Sequence, residues 1–341
     1  MDPAWIPQED ATTLFSERAW LSGAILTGVG YGVVITLYFF CFRQLLKTMD
    51  KSNRLHRISL LIYITLITLF GTFFVAACAR MTELSFVDFR LFPGGPSAFE
   101  NEEFSIPPDE LGNVAFVLAN WFADALVVWR CLIIYRNCRF PFIVVMAIPC
   151  LTYISSFTMG VLWLIQISSP ASSPWLTTSV NFTPLYFWLS LALNLSMTLA
   201  IVARLLVFRW RIARALGSKF GSQYTSIAAM VVESAFISSA GFLLFLIPFG
   251  LNSPLANLFI QALSEIQIIS PLLIIYRVAS GEAWSRNTTQ QLMSRSKEKV
   301  AGNINLVNGA KYRMDSGDSR SQSGPTLVNI SKEAVTSEFV V

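Results

Sequence analysis

The sequence is poor in histidine and in charged residues. Only one histidine, His56, occurs in 341 residues, and only 13% of the residues are charged. A soluble globular protein carries about 25% charged residues. A zinc or haem site among helices needs clustered histidine, so we expect no metal or cofactor, which argues against seven-helix zinc hydrolases and b-type cytochromes. Serine with a histidine base is also unavailable, and an enzyme is the least favoured class, with catalysis by Asp or Glu alone left open.

Long apolar runs are what the sequence has instead. Hydrophobic residues make up 54% of the chain, and the mean hydropathy is +0.55. A helix that crosses a bilayer needs about 20 apolar residues, and helix is the expected state because lipid cannot satisfy free backbone N–H and C=O groups. We predict an all-α polytopic bundle of seven transmembrane helices, near Leu21–Leu46, Ile58–Ala79, Asn113–Tyr135, Phe140–Ile167, Leu185–Phe208, Tyr224–Phe249 and Leu255–Val278.

Lysine and arginine predict the orientation of these spans. They concentrate in the segments that follow the first, third and fifth spans and are scarce on the other side. Basic loops stay in the cytosol, so we predict an extracellular N-terminus and a cytosolic C-terminus. The spans form a domain over residues 21–281, preceded by an extracellular tail over 1–20. Residues 282–341 are rich in polar residues and contain few aromatic residues, so we predict a disordered cytosolic tail there.

Three further absences narrow the class. No lysine lies within the seven spans, so a retinal Schiff base has no attachment point. The N-terminus "MDPAWIPQED" lacks a basic region, so we predict no cleavable signal peptide. None of the five cysteines lies in a long outer segment, so we expect no outer disulfide; they are Cys41, Cys78, Cys131, Cys138 and Cys150.

The predicted outer loop over residues 80–112 is unusually long and acidic. Its carboxylates outnumber its arginines, Arg80 and Arg90. Such a surface attracts cations, and long loops are often functional or disordered. Topology alone also excludes basic residues from this side, so a cationic ligand and a plain solvated loop both stay open.

Glycines in the first span have a packing interpretation. The stretch "GVGYG" is not a phosphate-binding loop, because it lies inside an apolar span. Gly28 and Gly32 have the four-residue spacing that lets two membrane helices approach closely. We predict a close helix contact at these two residues.

Polar residues inside the spans are the candidate binding site. A charge in mid-membrane costs roughly 2.5–3.5 kcal/mol on insertion scales, so it usually faces the bundle or a wet cavity. Structural hydrogen bonds between helices are the alternative. From their depth in the third and seventh spans, Asp124 and Glu265 are predicted to share one pocket near the midplane. The ligand-binding candidates are Asn120, Asp124, Asn194, Gln261 and Glu265.

Two opposite charges suggest a switch near the cytosolic side. Arg130 in the third span and Glu233 in the sixth lie at similar predicted heights above that side. We predict that they pair, because each charge alone would be costly inside the bundle. The pair is either a switch that parts during signalling or a permanent staple, and an Arg130 that reaches the headgroups by itself is also open.

Three motifs resemble those of a large family of orphan seven-helix membrane proteins from basidiomycete fungi. The motifs are "FPGGPSAFE", "ADALVVWRCLIIYR" and "ISPLLIIYRVASGEAW", and the resemblance runs from the first span to about Trp284. It implies a receptor-like topology and names no ligand. The stretch "PLLIIY" only loosely resembles the receptor Pro-x-x-Tyr element, so it implies no role for these residues.

Two functions remain open. One is a receptor-like protein that senses an unknown extracellular ligand and signals through its basic cytosolic loops. The other is a small-solute transporter that uses Asp124 and Glu265 as a midplane site. Transporters often show internal repeats, and none is visible, which favours the receptor. We expect the protein to lie in the plasma membrane. Its expected partners are the lipid bilayer and a cytosolic signalling protein, and we expect no binding of nucleic acid.

Overall fold

The computed structural model describes residues 9–51, 53–135, 142–169, 175, 181–216 and 222–280. This part of the chain is helical, without strands, and the predicted tail over 282–341 lies outside it. A π-helical turn over Leu84–Asp88 follows the second helix. The α-helices are α1 (Ala11–Lys47), α2 (Arg54–Glu83), α3 (Gly95–Glu102), α4 (Pro107–Tyr135), α5 (Phe142–Ile167), α6 (Phe182–Leu216), α7 (Ser222–Gly250) and α8 (Leu255–Ala279).

Seven of the described helices are long and apolar enough to cross a membrane: α1, α2 and α4–α8. The predicted seven-helix bundle is therefore confirmed, and the protein is a multi-pass integral membrane protein. Its orientation stays a prediction. We call the end of the bundle that holds residues 9–17, 84–110 and 251–254 the acidic end, and the opposite end the basic end.

The first helix begins earlier than predicted. Asp10 caps α1, and its side chain accepts hydrogen bonds from the Thr12 backbone N–H and the Thr12 hydroxyl. An N-cap of this kind satisfies an orphan amide of the first turn, and these bonds hold the pKa of the Asp10 carboxyl below its usual value. α1 therefore begins at Ala11, ahead of the predicted span that starts at Leu21, and the extracellular tail over residues 1–20 stays a prediction.

The predicted long loop is mostly helical. Gly94 and Gly95 have φ angles of 90° and 81°, a backbone region open chiefly to glycine, and they turn the chain into α3. Phe99 of α3 stacks on Phe89 at a ring-centroid distance of 5.2 Å and meets the edge of Phe92 at 5.5 Å. The segment "FPGGPSAFE" therefore builds a small helix that packs on the acidic end of the bundle.

Glycines let α8 pack tightly against α1, but they are not the predicted ones. A Cβ atom added to Gly23 would lie 2.7 Å from Gln261 Nε2, and one on Gly30 would lie 3.0 Å from Glu265 Cβ. A Cβ on Gly28 or Gly32 would meet nothing within 4 Å. The prediction for Gly28 and Gly32 is wrong because residue 30 lies about 200° from each of them around the helix.

An aromatic cluster fills the acidic half of the bundle. Trp163 of α5 stacks on Tyr186 of α6 at 5.6 Å, and Phe187 meets Phe245 of α7 at 4.7 Å. Lipid tails are as apolar as these rings, so burial from water does not hold membrane helices together. The many close contacts of the cluster supply dispersion attraction instead, and they fix the helices that surround the cavities described next.

Candidate functional site

Two cavities inside the bundle carry polar side chains. The central cavity has a volume of about 20 Å³ and lies between α4, α6, α7 and α8. It is lined by Asn120, Ala123, Asp124, Val127, Asn194, Ser238, Phe242, Gln267, Ser270, Pro271 and Ile274. Three of the five predicted ligand-binding residues, Asn120, Asp124 and Asn194, therefore do come together.

Polar atoms without partners face this central cavity. Asp124 is 6% exposed and Gln267 is 2% exposed. Asp124 Oδ2 and both side-chain polar atoms of Gln267 have no hydrogen-bond partner among the described residues. A cavity needs about 10–15 Å³ to hold one water molecule, so the space fits a single water that bonds to these atoms. It does not fit an organic solute.

Asn120 ties the central cavity to the neighbouring helices. Its Nδ2 donates to the Tyr186 hydroxyl at 2.7 Å and to Ser190 Oγ at 3.0 Å, and Ser190 Oγ lies 3.1 Å from Ser156 Oγ. The network joins α4, α5 and α6 through groups that are all buried. Asn120 is therefore already engaged by protein groups, in line with the structural alternative for this residue.

Glu265 does not line the central cavity, so its predicted shared pocket with Asp124 is wrong. A Cβ atom on Gly71 of α2 would lie 3.6 Å from Glu265 Oε2, which places the carboxyl between α1 and α2. Gln267 takes the predicted place beside Asp124, because residues two apart lie about 200° from each other around a helix. Neither Glu265 oxygen has a hydrogen-bond partner among the described residues.

Gln261 also leaves the predicted pocket. Its Nε2 donates to the backbone carbonyl of Trp20 at 3.1 Å and to that of Asn257 at 3.2 Å. These bonds hold it at the α1–α8 contact, on the wall of the second cavity.

The predicted pair of Arg130 and Glu233 does not form. Arg277 Nη1 lies 2.5 Å from Glu233 Oε2, on the outside of the bundle, where the Glu233 side chain is 56% exposed. The short turn over 251–254 makes α7 and α8 antiparallel neighbours, whereas α4 packs against α2, α5, α6 and α8. Among the described residues Arg130 makes no ion pair, and its charge instead lies near the Tyr63 phenol.

The second cavity lies at the acidic end, and we call it the acidic-end cavity. Its volume is about 50 Å³, and six helices contribute to its walls: α1, α2, α3, α4, α5 and α8. Five aromatic rings and two carboxyl groups face it. The lining residues are Trp20, Phe74, Cys78, Met81, Thr82, Glu100, Phe104, Asp109, Asn113, Phe116, Trp163, Ile260 and Gln261.

Each carboxyl group of the acidic-end cavity is held by a neighbour. Ser85 Oγ donates to Glu100 Oε1 at 2.7 Å, and Asn113 Nδ2 donates to Asp109 Oδ2 at 2.8 Å. Burial raises the pKa of Glu100 to about 7, and the Ser85 hydrogen bond opposes that rise. Both carboxylates are therefore fixed in position, and Glu100 titrates close to neutral pH.

Most residues of the acidic-end cavity were missed by the sequence reasoning. Glu100 and Asp109 belong to the segment interpreted as a long outer loop, where exposure to solvent is enough to explain an acidic residue. A usable signal was present in "FPGGPSAFE", which combines two glycines at a turn with aromatic residues and ends at Glu100. Its two aromatic residues, Phe92 and Phe99, contact each other, and Phe99 also stacks on Phe89.

The polar groups of the two cavities differ in their chemistry. The described residues contain no group of three or more His, Cys, Asp and Glu side chains that could hold a metal ion. The acidic-end cavity combines negative charge with aromatic faces, and the central cavity combines one carboxyl with amides and hydroxyls.

Comparison with known proteins adds no further assignment. No protein-family model matches the chain, and neither a similar curated protein nor a similar solved structure was found.

Proposed function

We propose that the protein is a receptor-like sensor that binds a small ligand in the acidic-end cavity. The observation that carries this proposal is that six helices, five of them membrane spans, line one cavity at one end of the bundle. A ligand there contacts all of them at once. It shifts a conformational equilibrium if it binds one arrangement of these helices better than another.

In the proposed orientation, the acidic end faces the outside of the plasma membrane and the basic end faces the cytosol. A signalling protein would then meet the basic loops, whose charge attracts acidic surfaces. The orientation follows from the distribution of lysine and arginine.

A small-solute transporter is the second candidate, and the central cavity is the observation in its favour. Asp124 and Gln267 are buried polar groups with partnerless atoms, as a transport site would need. The volume of about 20 Å³ accommodates one water molecule and no organic solute. The receptor is therefore the better supported function.

The decisive experiment fills the acidic-end cavity. Purified protein is screened against a small-molecule library by thermal stabilisation in detergent, and the compounds that stabilise it are retested on Ile260→Trp. Ile260 lines the cavity, so the larger indole should occupy the ligand space and abolish stabilisation. Leu255→Trp is the matched control, because Leu255 lies on the same helix, is 39% exposed and lies outside the cavity wall.

Cell assays separate the two functions. Each stabilising compound is tested for a cytosolic signalling response and, in labelled form, for uptake. A signalling response that Ile260→Trp removes and Leu255→Trp keeps supports the receptor. Uptake that is lost in Asp124→Asn, with no signalling response, overturns it. Stabilisation that survives Ile260→Trp would show that the ligand binds elsewhere.

A further inference from the structure

We infer that the ligand of the acidic-end cavity is a small protonated amine that also carries a hydrogen-bond acceptor. This inference rests on the proposed function and names the chemical class of its ligand. It follows from the charge of the cavity wall, the aromatic faces and one buried donor.

The charge of the wall has one sign. Glu100 and Asp109 both line the cavity, and none of the lining residues is basic. Arg80, on the neighbouring stretch of α2, is already engaged by Glu83 at 2.7 Å and by Asp88 at 3.5 Å. The described residues near the cavity therefore offer these two carboxylates no cationic partner.

The hydrogen bonds leave acceptor capacity on both carboxylates. One oxygen of each accepts a bond from Ser85 or Asn113, and the described residues donate no bond to Glu100 Oε2 or Asp109 Oδ1. An ionised carboxylate only accepts hydrogen bonds. A ligand that supplies donors satisfies the ionised form of these groups, and a protonated amine supplies donors and the compensating positive charge together.

Aromatic faces complete a cation site. The cavity wall contains the rings of Trp20, Phe74, Phe104, Phe116 and Trp163. A cation over an aromatic face is attracted by the ring quadrupole, and the attraction grows when water is excluded. Both the carboxylates and the rings therefore favour an organic cation over a neutral molecule or an anion.

Trp20 supplies the independent observation. It lines the cavity and is 6% exposed, and its indole N–H has no hydrogen-bond partner among the described residues. The other tryptophan of the wall, Trp163, donates its N–H to Thr183 Oγ1 at 2.9 Å. A buried donor without a partner is unusual, and a hydroxyl or carbonyl oxygen on the ligand would satisfy it.

The test compares matched probes on the whole protein. The cavity of about 50 Å³ admits only very small molecules. Ethylamine, ethanol and acetate differ mainly in charge, and ethanolamine adds a hydroxyl to the amine. Binding is measured by thermal shift and by titration calorimetry in detergent at pH 7.5. We expect the amines to bind roughly 10-fold or more tighter than the alcohol or the acid, and ethanolamine to bind tightest.

Variants identify the groups responsible. Glu100→Gln and Asp109→Asn should each weaken binding of the amines roughly 10-fold or more and leave binding of ethanol unchanged. The exposed Glu102→Gln on α3 and the non-lining Glu110→Gln on α4 are their controls. Trp20→Phe should remove the advantage of ethanolamine over ethylamine. A cooperative melting transition of each unliganded variant shows that it folds.

The outcomes distinguish this inference from the proposed function. If neutral or anionic probes bind as well as the amines and Ile260→Trp blocks them all, the cavity binds ligands but the amine inference is wrong. An amine preference that Glu102→Gln reduces as much as Glu100→Gln also overturns it. If Ile260→Trp leaves the binding of every probe unchanged, the proposed site itself fails.

Discussion

The acidic-end cavity and the central cavity both contain buried carboxyl groups, but their surroundings differ. Glu100 and Asp109 each accept a hydrogen bond from a fixed neighbour, beside aromatic rings. Asp124 Oδ2 has no partner among the described residues, in a space that fits one water molecule. The difference teaches that a charge inside a membrane bundle does not by itself mark the ligand site. The volume of the adjacent cavity and the hydrogen-bond partners of the carboxyl group decide whether a ligand can bind beside it.

The largest expected effect is the loss of the aromatic wall. Trp163 is 1% exposed, stacks on Tyr186 and donates to Thr183. Trp163→Ala should lower the free energy of unfolding by about 3–5 kcal/mol, as for other buried aromatic residues. Thermal unfolding in detergent measures the change. Trp188→Ala is the control, since Trp188 is 50% exposed, and equal losses in the two variants would contradict the assigned core.

The titration of Glu100 gives a slightly smaller effect with a defined sign. Its pKa rises from 4.5 to about 7 in the folded protein, so the folded state binds more protons than the unfolded state between these two pH values. This contribution to stability is complete below pH 4.5 and is lost as the pH rises, at about 1.4 kcal/mol per pH unit, until about pH 7.

Glu100→Gln should remove that pH dependence and keep a side chain that accepts the Ser85 hydrogen bond. The measurement is thermal unfolding of wild type and variant from pH 4.5 to 8. The difference between them cancels the titration of groups that do not interact with Glu100, such as Glu17. A difference that stays constant over this range would show that Glu100 titrates normally.

The hydrogen bonds of Asn120 should contribute less. Asn120→Ala removes the donors to Tyr186 and Ser190 and leaves these buried hydroxyls with fewer partners. A loss of about 1–3 kcal/mol is expected, measured as the shift of the melting temperature. Amine binding at the acidic-end cavity should be unchanged, because Asn120 does not line it. Loss of binding with an unchanged melting temperature would make Asn120 a ligand contact.

The smallest effect is expected at Asp124. Asp124→Asn keeps the shape of the side chain and removes a carboxyl oxygen that has no described partner. We expect a change in the free energy of unfolding of under about 1 kcal/mol and no change in ligand binding. Thermal unfolding and calorimetry on the same sample test both. If ligand binding disappears, the central cavity is the ligand site and the comparison of the two cavities is reversed.

The fold was predictable because a membrane-spanning helix can be recognised from the composition of its own residues alone. The seven spans follow from length and hydropathy, and Asp10, which caps α1, is a residue type that favours this position. The rotation of each helix was not predictable. Glu265 and Gln267 are close in sequence but face different neighbours, and nothing in one sequence indicates which of them turns towards Asp124.

The candidate site was only partly predictable for a related reason. The short turn over 251–254 already indicated that α7 and α8 are neighbours, so Arg277 was the available partner of Glu233. To predict that Glu100 lines the cavity, one would have to know that α3 is a helix and that it packs on the bundle. Packing of this kind depends on surfaces distant in sequence, which neither periodicity nor charge counts describe.

Glu265 occupies space that glycines leave free on two neighbouring helices. A Cβ atom on Gly30 would lie 3.0 Å from Glu265 Cβ, and one on Gly71 would lie 2.8 Å from Ile268 Cδ1. The two glycines therefore tolerate a larger residue to different degrees. An alanine at residue 30 would meet the Cβ atom that every residue except glycine carries at position 265, so a shorter side chain there does not make room for it. An alanine at residue 71 would lie too close only to the end of the Ile268 side chain.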